Sequence, residues 1–91
     1  MKSVKVVIKG RVQGVFFRKY TQEKAVELGL KGFVMNKSDG SVYCEVEGPG
    51  NAIDSFLQWC YTGSPTSSVD SVESEPIEPQ NFAKFEIRRF W

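Results

Sequence analysis

The hydrophobic period of this chain switches repeatedly between two residues and about 3.6, and that alternation fixes most of what the chain can fold into. Residues 4 to 9 alternate, with Val4, Val6 and Ile8 on one face and Lys5, Val7 and Lys9 on the other, the pattern of a strand packed on one side. From about Phe17 the spacing becomes helical through Phe17, Tyr20 or Thr21, Ala25 and Leu28, and Gly29 is placed to end the helix in a left-handed conformation. Residues 31 to 36 and 41 to 47 read as two strands. Lys37-Ser38-Asp39-Gly40 joins them, and its Asp-Gly pair is expected to supply the positive dihedrals of a tight hairpin. Val42, Cys44 and Val46 share one face of the second strand. Pro49-Gly50-Asn51 then breaks the sheet, Asn51 is the expected N-cap, and Ile53, Phe56, Leu57 and Cys60 form an apolar helical stripe closed by Gly63. After Ser64-Pro65-Thr66-Ser67-Ser68 a strand is expected near residues 69 to 75. Pro76 and Pro79 follow, and alternation returns from Phe82 to Phe90 with Phe85 and Ile87 inward.

The order β-α-β-β-α-β with an additional C-terminal strand predicts an α+β fold. It is a ferredoxin-like α/β sandwich in which two helices pack on one face of an antiparallel sheet. A chain of 91 residues suffices for one core, so residues 1–91 are expected to form a single domain. No internal repeat or low-complexity tract interrupts it. A fold of this type hosts many activities, so function has to be argued from particular residues.

Twelve Lys and Arg stand against eleven Asp and Glu, a net charge of +1. No global field draws such a chain to nucleic acid or to an anionic lipid surface, so any anion site has to be local. The first residues run straight into the opening strand without a long apolar stretch, so neither a membrane span nor a leader is expected, and the expected location is cytoplasmic. Cys44 and Cys60 lack C-x-x-C spacing, and the chain contains no histidine to complete a metal site. Both are read as buried thiols, and no metal or cofactor is expected.

The segment Gly10-Arg11-Val12-Gln13-Gly14-Val15-Phe16-Phe17-Arg18 places a glycine-bracketed loop at a helix N-terminus. Unpaired N–H groups and the helix dipole there favour an anion, and phosphate is the natural guest. The same spacing also serves a plain connection whose glycines only permit the turn. Arg18 tilts the balance, because a cation in the first turn opposes the dipole at a cost of about 0.3 to 1 kcal/mol. A bound anion reverses that cost, since guanidinium offers a planar fork to phosphate oxygens. Lys19, beside it, is expected to reach into solvent. Asn36 ends a strand before a turn, where Asn is common for turn chemistry alone and that reading leads in isolation; its carboxamide could instead hold a water, since it both donates and accepts.

Without histidine, serine-triad, phosphohistidine and zinc-hydrolase schemes lose the side chain that serves them as general base, phosphoryl acceptor or ligand. Acyl phosphate cleavage tolerates that loss, because its carboxylate leaving group, with a parent acid pKa of about 4, needs little protonation. Positioning and charge stabilisation then carry the reaction.

The run from Gly10 to Arg18 resembles the first motif of the acylphosphatase family, G-x-V-Q-G-V-x-F-R, at every fixed position. Gly32-Phe33-Val34-Met35-Asn36-Lys37-Ser38-Asp39-Gly40-Ser41-Val42, continuing to Gly48, is similar to the second, an aromatic strand ending in Asn before a glycine turn. The similarity extends through Gly63-Ser64-Pro65, Val69-Asp70-Ser71-Val72 and Phe85-Glu86-Ile87-Arg88. Two departures are Met35, where the family often carries a basic residue, and the closing Arg89-Phe90-Trp91. The resemblance implies a cofactor-free hydrolase acting on small acyl phosphates. In it Arg18 binds the phosphoryl group with the loop amides of Gln13, Gly14, Val15, Phe16, Phe17 and Arg18, while Asn36 orients the attacking water and substrate phosphate accepts its proton. Inorganic phosphate is the second expected ligand, and the protein is expected to be a monomer.

Two other readings compete. Lys31-Gly32-Phe33-Val34 faintly matches the aromatic strand of RNA-recognition domains, but Met35-Asn36 replaces the further aromatic and no basic stripe follows. A non-catalytic anion sensor would use the same cradle. An acylphosphatase-like domain also fronts larger carbamoyl-transfer proteins; the cysteine-rich modules of those proteins are missing here, and a free-standing enzyme is expected.

Overall fold

The computed structural model describes residues 1–89. Its elements run β1 (Lys2–Arg11), α1 (Phe17–Glu27), β2 (Lys31–Asn36), β3 (Val42–Gly48), α2 (Gly50–Thr62), β4 (Ser68–Pro76) and β5 (Phe85–Arg88). The sheet order is β4-β1-β3-β2-β5. The alternation seen in the sequence becomes the core: Val4 faces Val46, Val6 faces Cys44 and Ile8 faces Val42 across the β1–β3 ladder. All six are buried, and the helices lay Phe17, Ala25, Ile53, Phe56 and Cys60 on them. Fully burying each such large apolar side chain stabilises the fold by roughly 1.5 to 3 kcal/mol. Cys44 and Cys60 are free thiols inside this core, and burial pushes both up, Cys60 to about 12. Among the described residues no helix is long and apolar enough to cross a membrane.

The sheet is mixed rather than wholly antiparallel, because β5 pairs parallel to β2. The reason lies in the crossover at residues 77–84, which leaves one edge of the sheet and re-enters at the other. The ladders place this crossing at the end of the sheet where β1 starts and β3 finishes. Each strand it passes holds it. The Ile77 amide donates to the Ser3 carbonyl at 2.9 Å, and the Gly32 amide donates to the Lys84 carbonyl at 3.0 Å. Glu47, at the end of β3, accepts from the amides of Gln80, Asn81 and Phe82 and from the Ser3 hydroxyl. Phe82 then packs edge-on against Phe33 on the sheet face away from the helices.

Burial pushes the Glu47 carboxyl up, but the donors from Gln80, Phe82, Ser3 and Asn81 outweigh it and hold the group below its ordinary value of 4.5. A depressed folded pKa contributes stability that is present above the unfolded value and lost as pH falls through the folded one. Urea midpoints should therefore drop between pH 7 and pH 3.5, and in Glu47→Gln this drop should be smaller than in the unsubstituted protein.

Three local expectations are corrected. Helix α2 begins at Gly50 with Pro49 as its N-cap and no side-chain cap, so Asn51 lies inside the first turn. Pro49, extended at φ −60° and ψ 144°, ends the strand, and its carbonyl accepts from Ile53 at 3.0 Å. In the β2–β3 connection only Gly40 takes a positive φ, at 93°. Asp39 acts instead through its side chain, accepting from the Ser41 amide at 2.9 Å and the Ser41 hydroxyl at 2.6 Å. The third is Ile87, which shares the face of Phe85 but is 38% exposed, because it lies beyond the cover of the helices at the rim of a cavity. Phe90 and Trp91 lie outside the described residues. As expected, α1 ends with Gly29 left-handed at φ 74°.

Candidate active site

Chain direction puts the glycine-bracketed loop at the opposite end of the sheet from the crossover. β1 runs toward it, and residues 12–16 connect β1 to the N-terminus of α1. Gly14 and Phe16 take positive φ, 73° and 59°, whereas Val15 between them does not. Alternation of this kind turns successive N–H groups toward one concavity, an anion-binding nest. The first helical bond is donated by the Tyr20 amide to the Phe16 carbonyl, and α1 has no side-chain cap and no acidic residue in its first turn. Among the described residues, the amides of residues 14–19 have no acceptor.

The left-handed Phe16 is a bulky residue in a conformation that costs about 1 to 3 kcal/mol. Val15 is buried and its carbonyl accepts from the buried Ser64 hydroxyl at 2.9 Å. Phe17 is buried against Trp59, with ring centroids 5.7 Å apart. Both flanks are thus pinned, and the left-handed Phe16 between them leaves its ring 75% exposed.

A cavity of about 390 Å³ opens over this nest, lined by Val12, Gly14, Phe16, Phe17, Arg18, Lys19, Asn36, Ile87 and Arg89. Among the described residues its wall thus carries three cations and no carboxylate. Arg18, half-buried as the second residue of α1, makes no ion pair among the described residues. Asn36 reaches the cavity from the end of β2, where it pairs with Val42. Its Oδ1 is buried and has no hydrogen-bond partner among the described residues. An acceptor left in that state costs roughly 1 to 3 kcal/mol and calls for a donor.

The cavity therefore brings together Arg18, Asn36, Gly14, Phe16 and Phe17 of the residues singled out in the sequence. Gln13 and Val15 belong to the same loop but do not line it. The Gln13 side chain points to the β2–β3 turn instead, where its Nε2 donates to the carbonyls of Lys37 at 2.8 Å and Ser41 at 2.9 Å. Ile87, Val12 and Arg89 join the site without having been flagged; the inward alternation of β5 was the only trace of Ile87. Lys19 is exposed, as expected, yet it also borders the cavity. Nothing in the sequence marked Ser64 as the brace behind Val15. Among the described residues no three His, Cys, Asp or Glu side chains gather as a metal site.

The family model for acylphosphatase matches residues 4–87. An acylphosphatase of Haloquadratum walsbyi is 46% identical over 84 residues, covering 92% of this chain and 90% of that protein. The crystal structure of acylphosphatase from Bacillus subtilis superposes with a TM-score of 0.94 at 36% identity, over 97% of this chain and 99% of that one. Full-length HypF in its phosphate- and nucleotide-bound form contains a similar unit, with a TM-score of 0.89 and 32% identity. It covers 96% of this chain and 12% of that one.

Proposed function

Since the chain belongs to the acylphosphatase family, and is therefore a hydrolase, we propose that it cleaves the carboxyl-phosphate bond of small acyl phosphates in the cavity around Arg18. The carrying observation is that one cavity wall joins unpaired amides and a guanidinium to the unpartnered Oδ1 of Asn36. The phosphoryl oxygens accept from the amides of residues 14–18 and from Arg18, each charge-assisted bond contributing about 1.5 to 3 kcal/mol. Val12, Phe17 and Ile87 offer the apolar surface on which the acyl portion rests.

Asn36 Oδ1 accepts a hydrogen bond from the attacking water and aims its oxygen at phosphorus. The new P–O bond forms as the bond to the acyl oxygen breaks, and the carboxylate departs with the electron pair. The water's proton passes to a phosphoryl oxygen. This route suits a wall without carboxylate or imidazole, because the leaving group needs little protonation. Arg18 and the amides stabilise the charge that spreads over the phosphoryl oxygens in the transition state.

Hydrolysis of benzoyl phosphate at neutral pH, followed with and without chelator, tests this reading. The expected result is turnover that chelator leaves unchanged and that inorganic phosphate inhibits competitively. Phosphate binding without turnover would overturn the catalytic reading and leave an anion sensor.

A further inference from the structure

We infer that Gln13 is a positioning residue that sets the register between the anion cradle and Asn36, an inference that rests on the roles given above to Arg18 and Asn36. Those two groups stand on separate parts of the chain, the loop after β1 and the end of β2. The ladder that could hold them together stops short, since the last β1–β3 pair is Ile8 with Val42. Beyond it β1 shifts register at Lys9/Gly10 and continues only along β4, ending at Arg11 opposite Ser68. The cradle is thus carried away with β4, while Asn36 stays with β3.

Gln13 closes that gap. Its single Nε2 spends both protons on the hairpin, at 2.8 Å to the Lys37 carbonyl and 2.9 Å to the Ser41 carbonyl. Lys37 directly follows Asn36, and Ser41 directly precedes Val42, the residue paired with Asn36. The fork therefore grips both strands of the hairpin one residue beyond the Asn36–Val42 pair. Among the described residues no other hydrogen bond or ion pair joins residues 12–19 to residues 36–41. The chemistry is particular to glutamine: a carboxylate of the same length would repel both carbonyls, a thioether donates nothing, and asparagine falls one methylene short.

Misplacement of a reacting group by about 1 Å can lower a rate by about a hundredfold. The test is a double-mutant cycle on benzoyl phosphate hydrolysis, with Gln13→Met and Gln13→Asn each made alone and in the Asn36→Ala background. Inhibition by inorganic phosphate and urea unfolding are measured alongside. Gln13→Met is expected to lower kcat by about tenfold or more, by the same positioning argument, with the phosphate inhibition constant within about threefold. In the Asn36→Ala background the same change should have almost no further effect, because there is no carboxamide left to aim.

An unchanged kcat in both Gln13 variants would overturn the inference. So would a loss repeated in full without Asn36, or a phosphate inhibition constant that rises in step with the loss of kcat. Should Gln13→Met fold poorly, Gln13→Asn gives the same comparison with the amide chemistry retained. Absence of turnover in the unsubstituted protein would overturn the functional reading and this inference with it. Normal turnover with additive losses would overturn the inference alone.

Discussion

Lysine in place of Arg18 is expected to lower kcat/KM for an acyl phosphate by about a thousandfold, although the charge is kept. The guanidinium presents two parallel donors to phosphoryl oxygens, and an ammonium offers a single mobile point. Losing one or two charge-assisted bonds of about 1.5 to 3 kcal/mol each gives roughly 10- to 25,000-fold, and the expected loss lies within that range. The inhibition constant for inorganic phosphate should rise with it, because these bonds form to the ground-state anion as well. Stability should move the other way. Arg18 sits in the first turn of α1 with no acidic residue beside it, so Arg18→Gln should raise the urea midpoint slightly, consistent with removal of about 0.3 to 1 kcal/mol of dipole repulsion. A loss of stability in Arg18→Gln would mean that the side chain holds the fold rather than the substrate.

Alanine in place of Asn36 is expected to cut kcat by about a hundredfold with little change in KM, the cost of removing one preorganised polar group from a transition state. The same substitution should not destabilise the protein. Oδ1 is buried with no partner among the described residues, and deleting an unsatisfied acceptor recovers part of its cost of about 1 to 3 kcal/mol. Kinetics and denaturation on one variant therefore separate the two readings of this residue. A marked fall in the urea midpoint would make Asn36 a turn residue, as its place at a strand end also allows.

The strands, the helices and the glycine loop before α1 were legible in the sequence because each rests on local rules. Val4, Val6 and Ile8 announce a one-sided strand, Gly29 a helix stop, and Arg18 at a helix start a cation in the wrong place unless an anion joins it. What stayed hidden depends on contacts distant in sequence. The parallel placement of β5 follows from a crossover that runs from one sheet edge to the other, held on the way by Glu47, whose partner amides lie more than thirty residues away. Gln13 shows the same limit: the motif marks it as special, but only the fold reveals that its side chain turns to the hairpin carbonyls. Capping was misjudged at Asn51 because Pro49 had already set the backbone for the helix entry. Ser64 lies within the stretch of family similarity, but its role was silent, since a buried hydroxyl bracing a carbonyl has no pattern of its own. The left-handed Phe16 likewise sits between two neighbours buried in the core, Val15 and Phe17, a circumstance no local window contains.

The central claim is that the loop before α1 binds a phosphoryl group through its own backbone. Titration of the uniformly 15N-labelled protein with inorganic phosphate tests it most directly, by following every amide at once. The amides of residues 14–18 and the Arg18 side chain should shift together and saturate, with a dissociation constant equal to the inhibition constant from kinetics. Shifts confined to other residues, or none at these amides while phosphate still inhibits, would contradict the account.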